Sequence, residues 1–481
     1  MNTVQPDVTS FGPPVLLAGL EGKRRLDRAQ HLAVHGEPPR LRASELAELA
    51  ERIDLRGRGG AGFPLARKLR AVMKAADAVE GRCAVIVNGT EGEPSCLKDT
   101  ALLLYAPHLV LDGLELAVEA LDAEEGVIGV TREDTEKSLT DALAERGAAA
   151  QDVLRIQRLP ERFVTGEGTA LTNGLNDRLA VPAGQKVRTS ERGLRGLPTL
   201  LSNTETFAQL AIAARRGATA YCETGLSTEP GTVLLTVSGS WVVETPTGAP
   251  LSYILEMCGA TPGQGVLVGG YHGKWISAEA ARSVTVSRAA LSAVGGALGA
   301  GAVIPLPEST CPLGETARVA RWMAEESANQ CGPCVWGLNG LAEQMTALAG
   351  RGGRPAYDAV FQYMDGVRGR GACSHPDGTS GFVTSALSAF SADVSQHVYE
   401  GGCGRPVAGV LPLNEDVDLR LLVDWTLCRA HGLCADVLPT VIKLGLDGYP
   451  DSANMPVKAE LREQALRAVR RCPALALRID S

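Results

Sequence analysis

Six cysteines fall into two spacings that suit soft-metal ligation. The first is Cys331-Gly332-Pro333-Cys334, with Cys373 thirty-nine residues further on. Taken by itself, a Cys-x-x-Cys pair is either a redox dithiol or half of a zinc site. The second is Cys428-Arg429-Ala430-His431-Gly432-Leu433-Cys434, followed after Asp447-Gly448-Tyr449-Pro450 by Cys472-Pro473. Thiolates so arranged are the usual ligands of iron–sulfur clusters, and His431 stands where a middle ligand would be. Cys83, Cys96, Cys222, Cys258, Cys311 and Cys403 lack ligand spacing and are expected to be small buried apolar residues. His375, next but one to Cys373, is expected to be a loop histidine.

A second kind of chemistry is written in glycine. Leu55-Arg56-Gly57-Arg58-Gly59-Gly60-Ala61-Gly62-Phe63-Pro64 holds four glycines in six residues. Such a run exposes consecutive backbone N–H groups to an anion and leaves room for a flat ring. Three further segments follow in order: Val87-Asn88-Gly89-Thr90-Glu91-Gly92-Glu93-Pro94 with Lys98-Asp99 beyond, Gly166-Glu167-Gly168-Thr169, and Pro198-Thr199 with Asn203-Thr204-Glu205-Thr206.

These four segments together resemble the flavin-bearing, NADH-oxidising subunit of respiratory complex I and its relatives in soluble hydrogenases and formate dehydrogenases. The resemblance runs from about residue 40 to 395. It implies cofactor-binding residues Gly57, Arg58, Gly59, Gly60, Lys68, Asn88, Glu91, Gly166, Glu167, Asn203 and Thr204 around FMN, with Phe63 toward the nicotinamide nucleotide, and Glu91 and Glu167 as the catalytic candidates. Thr90 replaces an Asp of the family pattern. The family also holds a 4Fe–4S cluster on a Cys-x-x-Cys-x-x-Cys run with a distant fourth Cys. Cys331, Cys334 and Cys373 match three of those positions, while the first is Ala328, so a 4Fe–4S or a 3Fe–4S cluster is implied there. The C-terminal pattern resembles single-cluster bacterial ferredoxins in which the middle ligand is not Cys. Cys428, Cys434 and Cys472 imply a 3Fe–4S cluster, or a 4Fe–4S cluster if His431 binds a fourth iron.

On the nicotinamide side the family stacks adenine between phenylalanines. Phe63 keeps one, the position eight residues later is Ala71, and a third is replaced near Arg188. Gly168 stands where family members carry a Glu. The resemblance therefore implies an NAD(P)H dehydrogenase that passes electrons through FMN and iron–sulfur clusters to a protein acceptor. Its rival is an electron-relay subunit that has lost nicotinamide binding and exchanges electrons only with partner proteins. Implied partners are a redox protein or further oxidoreductase subunits, with a membrane-bound acceptor as one option.

Elements must position these groups. The segment 84–87 reads as a strand and 108–121 as a helix with one apolar face, which suggests an α/β FMN-binding domain over 40–225. The segment 233–237 is β-rich, turn chemistry follows at 245–248, 251–258 reads as a short helix and 266–268 as a strand. By resemblance this unit, 230–280, is a β-grasp (soluble-ligand-binding) domain. Helical spacing at 318–327, 338–350 and 357–367 gives a helical iron–sulfur cap domain over 310–396. A Gly- and Pro-rich stretch between Ser395 and Asp416 reads as a linker to an α+β ferredoxin-like C-terminal domain, 417–481.

Bulk composition narrows the field. A chain of 481 residues calls for two to four domains. A net charge of −8 and 4% aromatic residues argue against nucleic acid as a partner. No charged-then-apolar leader opens the sequence, and the Gly/Ala-rich stretch 289–307 reads as buried, so a cytoplasmic protein is expected. The acidic run Glu133 to Glu136 reads as a solvated helix start.

Overall fold

A computed structural model describes residues 5–20, 25–184, 187–413, 419–457 and 461–480. The chain divides into two compact units, Met1–Leu413 and Asn414–Ser481.

The first unit contains a four-stranded, all-parallel sheet ordered Leu154–Arg158, Glu125–Val130, Ala84–Gly89, Thr199–Asn203. Its central strand is almost wholly buried because its run of Ala, Val and Ile is covered by helices. Pro107–Leu121 is one of those helices, with Pro at its first turn. The chain builds outward from Ala84–Gly89 through two strands and then returns to the opposite side of it with Thr199–Asn203. That reversal is the point where open parallel sheets bind ligands, outside the carboxyl ends of the strands.

A second sheet has six strands, in the order Asp7–Ser10, Trp241–Pro246, Thr232–Val237, Ala302–Leu306, Gly265–Val268, Lys274–Ser277. It takes two strands from outside 230–280. The Gly/Ala-rich stretch ends in Ala302–Leu306, which lies fourth in the sheet because its apolar residues are buried between neighbours. The N-terminal strand is anchored by the buried Glu244 carboxylate, which accepts the backbone N–H groups of Val15, Leu16 and Leu17 at 2.9–3.0 Å.

Five helices follow: Pro312–Glu325, Asn339–Ala349, Gly353–Val367, His375–Ala389 and Ser391–Tyr399. Residues 401–413 are no free linker. The Glu315 carboxylate accepts the N–H groups of Ala408 (2.9 Å), Gly409 (2.7 Å) and Leu411 (3.3 Å), and Leu411 is fully buried. An unpaired buried carboxylate would be costly, so Glu315 and the strap require each other. The remainder of the expected linker, and the expected start of the last domain at 417, lie outside the described residues.

The second unit is a small antiparallel sheet, Asn454–Val457, Leu419–Val423, Leu477–Asp480, with the helices Leu433–Val437 and Arg462–Arg471. No single helix among the described residues is long and apolar enough to cross a membrane.

Candidate functional site

The sheet reversal brings together the segments that sequence spacing singled out. Asn88 and Asn203 are register partners at the strand ends. Asn88 Nδ2 donates to Gly166 O (3.0 Å), and Thr204 Oγ1 donates to Asn88 O (3.0 Å). The glycine loop docks on the same corner through Arg58 N, which donates to Thr206 Oγ1 (3.0 Å). A Cβ on Gly59 would come within 3.2 Å of Asn203 Cβ, whereas one on Gly60 would meet nothing within 4 Å, and Gly60 has φ +117°. Gly59 thus lets the loop pack closely against Asn203, while the space beside Gly60 stays open. Beside Asn203, the buried Ser202 Oγ has no hydrogen-bond partner.

Two predicted residues have their charged ends engaged by the protein. The Arg58 guanidinium is buried under the loop, donating to Thr232 O (3.3 Å) and lying 3.8 Å from Glu205. Lys68 Nζ donates to Leu201 O (2.9 Å), and burial lowers its pKa. Both catalytic candidates are helix caps. Glu91 accepts from Asp99 N (3.1 Å) and Thr100 N (2.8 Å) at the start of Lys98–Tyr105. Glu167 is the N-cap of Gly168–Leu175, accepting from Thr169 N and Ala170 N at 2.9 Å. Burial, then the neighbouring Asp99, pushes the Glu91 carboxyl up to about 7. Burial does the same to Glu93, which accepts from Tyr271 N (2.8 Å).

Sequence spacing missed the charges beneath this corner. Lys98 is almost fully buried, yet it reaches Asp99 (2.8 Å), Glu205 (3.1 Å) and Asn203 Oδ1 (3.2 Å). Burial disfavours its charge, but those carboxylates outweigh the penalty and raise its pKa. The signal was present, since Lys98 and Glu205 both lie in the segments quoted for the flavin resemblance.

The side of the loop that carries Phe63 is open. Phe63 is 41% exposed, with the Arg67 guanidinium 5.3 Å from its ring centroid, and Ala71 is exposed. A cavity of about 600 Å³ runs along helix Gly168–Leu175, lined by Thr169, Asn173, Val187 and Arg192 among others, with no aromatic side chain among its described lining residues.

In the helical region Cys331 and Cys373 lie near enough to Cys334 for their charges to act on it. Cys334 belongs to its apolar core, and burial followed by the charge of Cys331 pushes its thiol up to about 12. Ala328 supplies no donor. The flavin-facing loop touches this corner directly: Arg162 donates to Ser327 O (2.7 Å) and Phe163 N to Glu326 Oε2 (2.7 Å). His375 is not a loop residue; it opens a helix, buried, with Nε2 2.7 Å from Met323 O. In the second unit Cys428, His431, Cys434 and Cys472 line one cavity. Three soft donors in each place fit an iron–sulfur cluster better than a hard cation.

Cys311 belongs to the apolar core and Cys403 packs against it, as expected, but the fold also brings the two together. Cys311 Sγ, His397 Nε2 and Cys403 Sγ all lie within 4.8 Å of one another. The fold closes this gap across more than eighty residues, which spacing alone does not reveal.

Comparison with known proteins agrees with this geography. Residues 50–212 match the Nuo51 FMN-binding domain, 314–397 the NADH-ubiquinone oxidoreductase-F iron–sulfur binding region, and 421–479 a 4Fe–4S single cluster domain. The F 2 subunit of the NADH-quinone oxidoreductase of Rhizobium meliloti (strain 1021) is 28% identical over 382 residues, covering 75% of this chain and 90% of the relative. The HndC subunit of the NADP-reducing hydrogenase of Solidesulfovibrio fructosivorans is 25% identical, with 85% of each chain covered. A solved NAD+-reducing nickel–iron hydrogenase in the H2-reduced state superposes with a TM-score of 0.71 at 24% identity, over 82% of this chain and 68% of that one, which shows the shared fold.

Proposed function

We propose that this chain, which belongs to the family of flavin-bearing NADH dehydrogenase subunits and ends in a ferredoxin-like module, moves electrons from NAD(P)H through FMN and two iron–sulfur centres to a redox protein partner. The observation that carries this reading is the meeting of four separated segments at the sheet reversal, with a thiol set joined to them through Arg162 and Phe163.

Bound FMN supplies an acceptor that takes a hydride and releases electrons singly. Gly57, Gly59 and Gly60 leave a slot for it, while Asn88, Asn203, Thr204 and Gly166 form its wall. Glu91 and Glu167 hold two helix starts at the rim, and Arg58 and Lys68 brace the loop from beneath. Phe63 offers one apolar face to a nicotinamide nucleotide. Cys331, Cys334 and Cys373 hold the cluster of the first unit. Cys428, Cys434 and Cys472 hold the other, and a 3Fe–4S centre suits three thiolates with His431 at the fourth place. The six-stranded sheet is read as the β-grasp domain. Twelve free thiols favour the cytoplasm, and the acceptor is a further subunit or a membrane-bound carrier.

The relay reading, without nicotinamide, draws support from exposed Ala71, from Gly168 and from the single remaining phenylalanine. Anaerobic titration at the flavin absorption band separates the two. Bleaching by micromolar NADH or NADPH upholds the dehydrogenase reading; bleaching only by dithionite or a reduced carrier protein upholds the relay.

A further inference from the structure

We propose that Cys311, His397 and Cys403 form a zinc site that fastens the strap 401–413 to the helical region, separate from both cluster sites. Each ligand is presented by a different element. Cys311 is the N-cap of Pro312–Glu325, and its Sγ accepts the Gly314 N–H (3.3 Å). His397 lies in the last turn of Ser391–Tyr399 and is 2% exposed. Cys403 belongs to the strap itself.

The imidazole is oriented as a ligand. Its Nδ1 lies 3.1 Å from Leu348 O, and a carbonyl only accepts, so Nδ1 carries the proton. The Nε2 lone pair then faces Cys311 Sγ at 3.3 Å and accepts the Cys403 N–H at 3.3 Å, a bond that a bound ion would replace. Second-site carbonyls fix metal-binding histidines in this way. A tetrahedral zinc ion with ordinary Zn–S and Zn–N bonds spaces its ligand atoms by roughly 3.6–3.8 Å. The Cys311, His397 and Cys403 ligand atoms, all within 4.8 Å of one another, need little movement to reach that spacing. No other set of three His, Cys, Asp or Glu ligand atoms among the described residues is so close, the cluster thiols included. A thiol–imidazole hydrogen bond would account for Cys311 and His397 alone; the half-buried Cys403 sulfur beside them brings the soft donors to three, the number a zinc site with one open position needs.

The site also has a mechanical purpose. The strap has no regular secondary structure, yet Cys311 N donates to Pro406 O (2.7 Å) and Glu315 holds the three N–H groups described above. An ion bound to Cys403 closes the open end of that attachment. Binding releases one proton from each thiol and leaves a fourth position for water or one more donor.

The test is metal analysis of the full-length chain purified anaerobically from zinc-supplemented cells. One zinc equivalent per chain is expected, beyond the iron. Cys403→Ser and His397→Gln should each lose it, keep their iron and flavin, and become more sensitive to proteolysis within 401–413. Cys331→Ser should keep the zinc. Replacing zinc by cobalt should give thiolate-to-cobalt charge-transfer absorption in the parent and not in Cys403→Ser. The proposal is overturned by iron-replete protein with less than a tenth of a zinc equivalent. A Cys311–Cys403 disulfide, zinc unchanged in both variants, or zinc lost from Cys331→Ser overturns it equally.

Discussion

The two proposed cluster sites share one deficit and differ in everything that supports it. Each offers three thiols, with Ala328 or His431 where a fourth would stand. In the first unit, Cys334 is one member of a large apolar core that includes Trp322, Met323, Leu341 and Phe382. In the second, Cys428, Cys434 and Cys472 pack against a core of nine buried residues, two of them alanines. A module of that size buries too little apolar surface to be comfortable alone. The contrast teaches that a ligand set can be a guest in one core and a structural member of another.

The largest effect should follow from removing one thiol in each place. Cys472→Ala should abolish the second cluster and unfold 419–480, seen as rapid proteolysis there. Cys331→Ala should lose iron from the first cluster while the midpoint of the first unit moves by no more than about 5 °C. Equal loss of structure in both variants would break the comparison. Next in size is Gly59→Val. A Cβ at this glycine already approaches Asn203, so flavin content should fall at least about tenfold by ring exclusion while the iron of both sites is retained. Loss of iron along with flavin would show that the first cluster site leans on the cradle as well.

A third pair of variants asks whether the missing ligands are equivalent. An oxidised three-iron cluster gives an EPR signal before reduction, and an oxidised four-iron cluster is silent. Ala328→Cys and His431→Cys should each diminish that signal and shift the potential, because ligand identity and net charge set it. Conversion at His431 alone would place the difference in the backbone around Ala328, next to Asn329 with its φ of +50°.

Much of this was legible because local chemistry and global fold agree. The Ala84–Gly89 strand, the helix Pro107–Leu121 and the ordered glycine and asparagine segments were readable from pattern. What escaped depends on residues far apart in sequence. No periodicity in 302–306 says that it enters a sheet between 232–237 and 265–268. A Gly- and Pro-rich stretch reads as a linker until Glu315, ninety residues earlier, is seen to hold its N–H groups. Arg58 was expected at the flavin by resemblance; that its guanidinium also lies 3.8 Å from Glu205 is a pairing that spacing does not reveal.

The smallest expected effect concerns acid, and it too falls on one unit. Six of the seven histidines lie in the first unit, and the other, His431, is exposed. Burial pushes His108 down to about 4, against a rise from its Glu145 bond (2.8 Å), and it pushes His35 down to about 4 and His272 to about 3. Each is therefore neutral when folded and protonated more readily when unfolded. Their stabilising contribution is whole above pH 6.5 and drains away as pH falls toward 4. Replacing His108 by Gln keeps a donor for Glu145 but removes the titration. That variant should lose less stability than the parent between pH 6.5 and 4, by on the order of 2 kcal/mol, measured as the midpoint of the first unit against pH. Comparing variant with parent cancels the acid lability of the clusters, which both share. The second unit's own transition should not respond to the substitution, and a response there would show that the two units unfold as one.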